Sequence, residues 1–296
     1  MAGDHLVLVN YYDRLFDQAL TSQYSLSIRI DTDGLSFSVY SHLVSRYIVL
    51  ESVILNKASA TDAGMQGRIE SGDQLDNFLV KHPWLLNQFR HTAFIYTSMV
   101  YTLIPHALYD PVKKAEYLNY VHKSDDSVVL YDHFLNSAEA WVVYALPGSA
   151  GMIPDKHFNG ASVMHHVGAV IETLLPRFRH NEIQNPVFVN VRKGSFDIIV
   201  LKEGKLRYCN SFNWKVNEDL VYYLVFVLDQ LALNPENVPV MLLGLVEQTS
   251  SLYELLQRYI RRIDFLYSAE VSNSGIALSD SNEYKFYDLL NPGLCV

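Results

Sequence analysis

The stretch Asp31-Thr32-Asp33-Gly34 has residue types that could hold a metal ion or a phosphate group. Two carboxylates offer oxygen ligands to a divalent cation, and a glycine lets backbone N–H groups approach a phosphate closely. The same residues also suit a tight turn, because Asp-Gly is a strong turn sequence in its own right. As a calcium loop the stretch fails, since counting from Asp31 puts Leu35 in the fifth position and His42 in the twelfth, where a bidentate glutamate is needed. The residues favour a hairpin turn, with phosphate binding as the alternative.

Other groups of reactive or aromatic residues have simpler structural interpretations. His165 and His166 are adjacent on a predicted strand, so their side chains point to opposite faces and do not share a metal. In PGSAG, 147–151, the serine stands one place too early for the Gly-x-Ser-x-Gly elbow, which argues against acyl transfer. A set of aromatic residues is predicted to form the core of the second half rather than a stacking platform: Tyr208, Phe212, Trp214, Tyr222, Tyr223, Phe226, Tyr253 and Tyr259.

The elements that position Asp31–Gly34 are predicted strands. Apolar and polar residues alternate over 25–31 and again over 35–39, which predicts a β-hairpin, and a third strand follows at 47–55. Further along we predict a loop over 57–73, a helix over 71–89, a strand over 91–104, a helix over 111–122, a hairpin of 127–134 and 138–146, a strand near 162–165 and a helix over 169–178.

The same order of elements returns after a polar linker at 180–186. Residues 186–212 are predicted to form three strands joined by turns at Lys193-Gly194 and Glu203-Gly204. A helix over 217–232, a strand over 238–244 and a helix over 249–262 are predicted to follow. The repeat predicts an α/β fold of two related lobes with a cleft between them, and each lobe opens with a three-stranded meander followed by helix–strand units. We expect the first lobe at 1–182, with an inserted hairpin subdomain at about 127–165, and the second at 183–296.

Composition narrows the class of partner and the compartment. Hydrophobic residues make up 49 % and charged residues 19 % of the 296 residues, which is a globular balance, and the net charge of -9 argues against nucleic acid as a partner. The chain has two cysteines, Cys209 and Cys295, and no metal-ligand spacing, which favours a reducing compartment. The longest apolar run, 220–228, is far shorter than the roughly 20 residues of a membrane span. We predict a cytoplasmic protein without a transmembrane segment.

This layout resembles the actin-like ATPase fold, a ribonuclease H-like architecture shared by actin, heat-shock chaperones and sugar kinases. In that fold each lobe opens with a strand–turn–strand–strand ribbon. The hairpin at 127–146 and the stretch that follows it, through His166, resemble the extra subdomain of the pilus-assembly (PilM-like) branch. The chain as a whole is similar to an uncharacterised bacterial family with this fold, over roughly residues 24–262.

The resemblance implies where a nucleotide would bind. In active members each lobe opens with Asp-x-Gly, in which the aspartate orients Mg²⁺ and the glycine lets backbone N–H groups approach the phosphates. The first motif falls on Asp31 to Gly34, and Asp33 stands where the phosphate-contacting glycine is needed. A carboxylate there repels a polyphosphate unless a metal intervenes.

The second motif and the adenosine site are also altered. Asn190 stands in place of the aspartate and Arg192 in place of the glycine, while the adenosine Gly-Gly reads Gly244-Leu245. Arg192-Lys193-Gly194 could still attract phosphate. The resemblance therefore implies a degenerate nucleotide cleft whose candidate residues are Asp31, Asp33, Gly34, Asn190, Arg192, Lys193, Gly194 and Gly244.

Three functions stay open at this point. The favoured one is a non-catalytic scaffold or adaptor without a cofactor or catalytic residue, which binds another protein or a peptide. The alternative is a regulator that binds ATP or ADP with Mg²⁺ through Asp31, Gly34, Arg192 and Lys193. The third is a phosphotransferase of the sugar-kinase type, for which the sequence offers no identifiable general base. In the pilus-assembly branch, the resemblance implies, a partner's cytoplasmic tail lies in a groove on the first lobe.

Overall fold

The computed structural model describes residues 6–31, 34–54, 78–122, 128–151, 153–158, 160–181, 183–267 and 283–290. These residues form two compact units. The first contains the described residues through Ala169 together with 288–290, and the second contains those of 170–267 together with 283–287. The lobe boundary at 182/183 stays a prediction.

The strands carry most of the architecture. They are β1 Leu6–Tyr12, β2 Tyr24–Ile30, β3 Gly34–Ser41, β4 Arg46–Ile54, β5 His91–Tyr96, β6 Tyr101–Pro105, β7 Val128–Leu135, β8 Ala140–Pro147, β9 Ser162–His165, β10 Val187–Arg192, β11 Ser195–Lys202, β12 Lys205–Asn213, β13 Pro239–Gly244 and β14 Arg262–Phe265. The α-helices are α1 Lys114–Val121, α2 Gly148–Gly151, α3 Ile153–His157, α4 His166–Phe178, α5 Asn217–Gln230 and α6 Ser251–Leu256. Short 3₁₀ helices lie at Gln18–Gln23, Pro83–Leu86, His106–Leu108, Pro111–Lys113 and Glu283–Phe286.

The main sheet of the first unit has the strand order β1-β4-β3-β2-β5-β9. Strands β2, β3 and β4 form an antiparallel meander, β5 joins β2 in parallel, and β9 joins β5 in parallel. The predicted hairpin of 25–31 and 35–39 is therefore present, with Ile30 opposite Leu35. Buried side chains such as Leu26, Phe37 and Phe94 form the core beside this sheet.

The second unit repeats this plan. Its sheet has the order β12-β11-β10-β13-β14, in which β10, β11 and β12 form an antiparallel meander and β13 and β14 add in parallel. The three strands predicted over 186–212 are present, and so is the predicted long helix, as α5. Helix α5 begins where the Asp219 carboxylate accepts the backbone N–H groups of Lys215 and Val216, at 2.9 and 3.2 Å. Such acceptance satisfies backbone donors at the N-terminal end of the helix.

Some predicted elements differ from the structure. The single strand predicted over 91–104 is wrong, because β5 and β6 belong to different sheets. The chain turns between them where Ser98 accepts the backbone N–H of Val100 and donates its hydroxyl to the carbonyl of Ala145. The helix predicted over 249–262 is shorter, since α6 ends at Leu256. The loop predicted over 57–73 lies outside the described residues, and so do 71–77 of the helix predicted over 71–89. The described part of that helix is helical over 78–81 and is followed by the 3₁₀ helix Pro83–Leu86.

A third sheet, of order β6-β8-β7, contains the predicted hairpin of 127–134 and 138–146. It also includes β6, which lies outside the range predicted for an inserted subdomain, and the limits of that subdomain stay a prediction. Among the described residues, no helix is both long enough and apolar enough to cross a bilayer.

Candidate functional site

The first candidate motif lies at the end of β2. The backbone N–H of Asp31 donates to the carbonyl of Gly34 at 2.9 Å, which closes the β2–β3 hairpin. Asp33 and Thr32 lie outside the described residues. The Asp31 carboxylate accepts Arg29 Nε on Oδ2 at 2.8 Å and the Thr97 hydroxyl on Oδ1 at 2.7 Å. Both of its oxygens are therefore engaged by neighbours within the first unit.

Arg29 links Asp31 to a second carboxylate. Its Nη1 donates to Asp288 Oδ1 at 2.7 Å, and the exposed fraction of the Arg29 side chain is only 12 %. Burial lowers the pKa of the Arg29 guanidinium, but the charges of Asp288 and Asp31 outweigh this effect and raise it. The raised pKa keeps Arg29 protonated. Because residues two apart on a strand share a face, its guanidinium lies beside Asp31 and offsets that charge directly.

Gly34 has a packing reason to be glycine. A Cβ atom added there would lie 2.1 Å from the carbonyl oxygen of Val53 on β4, which no real Cβ contact allows. The close approach of β3 to β4 thus requires glycine at this position whether or not a phosphate binds.

The second candidate motif, at the end of β10, surrounds a buried aspartate. Asp197 on β11 lies directly opposite Asn190, and it is fully buried. Its carboxylate accepts Asn190 Nδ2 at 3.0 Å and forms a bidentate ion pair with Arg192, in which Nη2 donates to Oδ1 at 3.0 Å and Nη1 donates to Oδ2. The Ser211 hydroxyl also donates to Asp197 Oδ1. Asn190 and Arg192 are therefore brought together by a common acceptor.

The turn after β10 is exposed. Lys193 and Gly194 both lie at the surface, and Gly194 has a φ of +71° with nothing within 4 Å of an added Cβ atom. The left-handed backbone explains the glycine, because L side chains rarely adopt it. This is the predicted Lys193-Gly194 turn.

Gly244 ends β13 beside the same motif. It has a φ of +83°, and an added Cβ atom would lie 2.0 Å from the Val191 carbonyl oxygen and 2.8 Å from Asn190 Oδ1. The next residue, Leu245, donates its backbone N–H to that same carbonyl at 2.7 Å. Gly244 thus lets β13 end close against β10, beside Asn190.

These contacts limit the chemistry that each motif can perform. A carboxylate that binds a hydrated Mg²⁺ needs oxygen lone pairs free to face the ion and its waters. Asp31 shares both oxygens with Arg29 and Thr97, and the guanidinium of Arg192 is held by Asp197 rather than presented to a phosphate. Among the residues that the structure describes, no cluster of three or more His, Cys, Asp or Glu side chains is arranged to hold a metal ion.

The sequence interpretation missed the residues that hold the motifs in place. Arg29 interrupts a strand of otherwise apolar or small residues, and Asp197 interrupts the apolar run of residues 196–201. A charge buried in such a strand needs a partner. Because residues two apart share a face, Arg29 could have been matched to Asp31. No local signal identifies Asp288, which lies 259 positions from Arg29.

Away from the two motifs, Tyr12 on β1, Glu51 on β4 and His82 form a cluster of titratable side chains. The carboxylate of Glu51, which is buried, accepts the Tyr12 hydroxyl at 2.6 Å and lies 3.4 Å from His82 Nε2. Burial raises the pKa of Glu51, but the hydrogen bonds from His82 and Tyr12 and the charge of His82 outweigh it, so the net pKa is lowered. The hydrogen bond to Glu51 raises the pKa of His82 against the opposing effect of burial.

Buried histidines line the contact between β7, β9 and α4. The prediction that His165 and His166 point to opposite faces of a strand is wrong, because β9 ends at His165 and α4 begins at His166. Both side chains are fully buried, with ring centroids 4.3 Å apart. Neither ring nitrogen of His133 on β7 has a hydrogen-bond partner among the described residues. Burial lowers the pKa of His133 to about 4, against a smaller opposing effect of Asp132.

The family of the chain is shown by residues 13–263, which match the family described as "Protein of unknown function (DUF3822)". The chain belongs to this family. The match covers both hairpin motifs and Gly244, and the family has no established catalytic function. No curated protein is similar enough to this chain to count as a match.

Solved structures show the fold of the DUF3822 chain. A Bacteroides thetaiotaomicron protein with an actin-like ATPase fold and unknown function is 21 % identical, with a TM-score of 0.77 over 93 % of this chain and 98 % of its own. A chain of the PilM–PilN type IV pilus biogenesis complex is 12 % identical, with a TM-score of 0.60 over 90 % of this chain and 96 % of its own. The actin-like ATPase fold and the likeness to the PilM-like branch are therefore confirmed.

Proposed function

We propose that this DUF3822 protein is a non-catalytic scaffold or adaptor that keeps the actin-like fold and binds another protein or a peptide in the cytoplasm. The observation that carries the proposal is that Asp31, Asn190 and Arg192 are engaged in ion pairs and hydrogen bonds of their own. The degenerate residues of the sequence thus have a structural use that competes with nucleotide binding.

The first motif supports the proposal through charge. Asp31 with Arg29 beside it offers Mg²⁺ a carboxylate whose negative charge is already offset at 2.8 Å. Displacing Arg29 from Asp31 would leave a largely buried cation with one carboxylate fewer, which costs free energy. A metal–nucleotide complex would have to supply that free energy before it gained any affinity.

The second motif supports the scaffold proposal through the geometry of its ion pair. A phosphate that recruited Arg192 would take it from Asp197, whose side chain is 1 % exposed. Leaving that carboxylate buried without its ion-pair partner carries a large desolvation cost. Non-catalytic binding of a protein partner needs none of these rearrangements.

A protein partner is also suggested by the neighbours of the fold. The similar solved chain in the PilM–PilN complex belongs to an assembly with a second protein. We propose the same class of partner, a protein or peptide, for this chain.

Thermal unfolding in millimolar ATP and Mg²⁺, with phosphate release measured on the same samples, tests the proposal. A ligand at about 100 times its dissociation constant adds roughly 2.7 kcal/mol to the free energy of unfolding. That would raise the midpoint by about 4 °C in a protein of 296 residues, whose entropy of unfolding is about 0.6 kcal/mol/K. We expect no shift and no phosphate release above a buffer blank.

One result of this experiment would contradict the scaffold role. A midpoint shift that disappears in Asp31→Asn and Lys193→Gln, but persists in the control Lys205→Gln, would overturn the scaffold role. It would establish the alternative, an ATP- or ADP-binding regulator. The observation that favours this alternative is the exposed Lys193-Gly194 turn, where nothing lies within 4 Å of an added Cβ on Gly194.

A further inference from the structure

An open apolar groove lies on the second unit between helix α5 and the residues around α6. We call it the docking groove and define it by Glu218, Val221, Tyr222, Val225, Phe226, Asp229, Leu255 and Tyr259. Its volume is about 480 Å³. All of its residues belong to the second unit, and they are distinct from those of the two motifs described above.

The aromatic residues of the docking groove are exposed, contrary to the sequence prediction that they are core. The exposed fractions are 63 % for Tyr222, 48 % for Phe226 and 53 % for Tyr259. Tyr222 and Phe226 lie four residues apart on α5, so they share one face, and their rings stack with centroids 6.2 Å apart. Val221 is buried behind them. Aromatic side chains in this setting are typical anchors of protein interfaces.

The charges of the docking groove have one sign. Within the part of the chain that the structure describes, its charged lining residues are Glu218 and Asp229, and both are exposed. They lie near opposite ends of α5, eleven positions apart, which corresponds to about 16 Å along the helix. An apolar centre with a carboxylate toward each end complements an apolar segment that carries a cation toward each end.

We propose that the docking groove binds an amphipathic helical segment of a partner protein, with apolar residues at i, i+3 or i+4, and i+7 and with Lys or Arg near both ends. A helix of about three turns spans the distance between the two carboxylates. Helix-in-groove recognition of this kind reads apolar anchors at helical spacing. The inference rests on the adaptor role proposed above and names the chemistry of its partner.

Selection from a phage-displayed library of random 16-residue peptides tests the inference, because such a selection requires no identified partner. The full-length protein is the bait, and the double variant Tyr222→Ser/Phe226→Ser is the bait for counter-selection. We expect enriched sequences to share apolar residues at helical spacing flanked by Lys or Arg. Failure to enrich any sequence against the counter-selected variant would overturn the proposal, and so would enrichment of acidic or uncharged sequences.

Synthetic peptides from the selection then locate the contact by fluorescence anisotropy. We expect the dissociation constant to rise about tenfold or more in Phe226→Ser, since truncating an anchor typically has such an effect. It should rise in Glu218→Gln/Asp229→Asn but stay unchanged in Glu236→Gln/Asp264→Asn, which removes the same charge elsewhere on the second unit. An equal loss of peptide affinity in both charge variants would show nonspecific attraction to an acidic protein. That result would contradict binding in the docking groove.

Sedimentation velocity tests the other possible occupant of the docking groove, which is a second copy of this chain. A wild-type dimer that becomes a monomer in Tyr222→Ser/Phe226→Ser would assign the docking groove to self-association and overturn the peptide proposal.

The scaffold proposal and the docking-groove proposal can be refuted separately. ATP-dependent stabilisation with intact peptide binding would refute only the scaffold role, whereas absence of both ATP and peptide binding would refute only the docking groove.

Discussion

The Asp197 network offers the sharpest test of whether the second motif is structural. In Asp197→Asn the side chain keeps its volume, but its charge is lost and an amide donor faces the donors of Arg192 or Asn190. Arg192, 13 % exposed, would then lack its ion-pair partner. Breaking a buried ion pair by removing one member costs about 3–5 kcal/mol. We expect the lower end, about 3 kcal/mol, because asparagine still accepts one hydrogen bond.

The assay is thermal unfolding followed by circular dichroism at fixed pH. At about 2.1 cal/mol/K per residue, the 296-residue chain has an entropy of unfolding of about 0.6 kcal/mol/K, so the midpoint should fall by about 5 °C. Asp264→Asn on the exposed part of β14 is the matched control, and its effect should stay within about 0.5 kcal/mol. The double variant Arg192→Gln/Asp197→Asn should cost less than the two single variants together, since the pair is coupled.

A near-wild-type midpoint for Asp197→Asn would refute this reasoning. It would mean that Arg192 does not form a stable ion pair with Asp197 in solution and can bind a phosphate group. The argument for the scaffold role that rests on the second motif would then be lost. Arg192 would be the cation that the nucleotide-binding alternative requires.

Three further predictions concern backbone and titratable groups. Gly244→Ala should destabilise the protein by more than Gly194→Ala, since both have positive φ but only Gly244 meets a carbonyl oxygen at 2.0 Å; urea unfolding compares them. The folded-state pKa of His133, about 4, is below its unfolded value of about 6.5, so its contribution should be lost as pH falls from about 6.5 to 4. That loss should be absent in His133→Leu, as measured by midpoints against pH. The lowered pKa of Glu51 and raised pKa of His82 predict a contribution that is largest at about pH 4.5–6.5 and lost on either side, with Glu51→Gln flattening the profile.

The elements near the motifs could be predicted because their signals are local. Alternation over 25–31 and 35–39 and turn residues at Lys193-Gly194 identify the two meanders, and both are present. The single strand predicted over 91–104 failed because its β-branched residues suit β5 and β6 equally well. Their separation depends on hydrogen bonds of Ser98, one of them to Ala145, which is distant in sequence.

The electrostatics of the candidate site could be predicted only in part. The sequence predicts that Asp33 and Arg192 replace the motif glycines and that Asn190 replaces one aspartate. Arg29 lies only two residues from Asp31, but Asp197 comes from the neighbouring strand, where its position opposite Asn190 depends on strand register, and Asp288 lies 259 positions from Arg29. The exposure of Tyr222 and Phe226 was missed for a related reason, because helical spacing shows that residues share a face but not what covers that face.

The pairing of Arg29 with Asp288 has a consequence for biosynthesis. Arg29 and Ser38 reach partners 259 and 251 positions further along the chain, at Asp288 and the Leu289 carbonyl. At about 5–20 residues per second, a ribosome needs on the order of ten seconds to a minute to supply them. During that interval the first unit exists without the residues that complete its polar network. Nascent chains stalled before residue 288 should therefore be more sensitive to protease at β2 and β3 than the released protein.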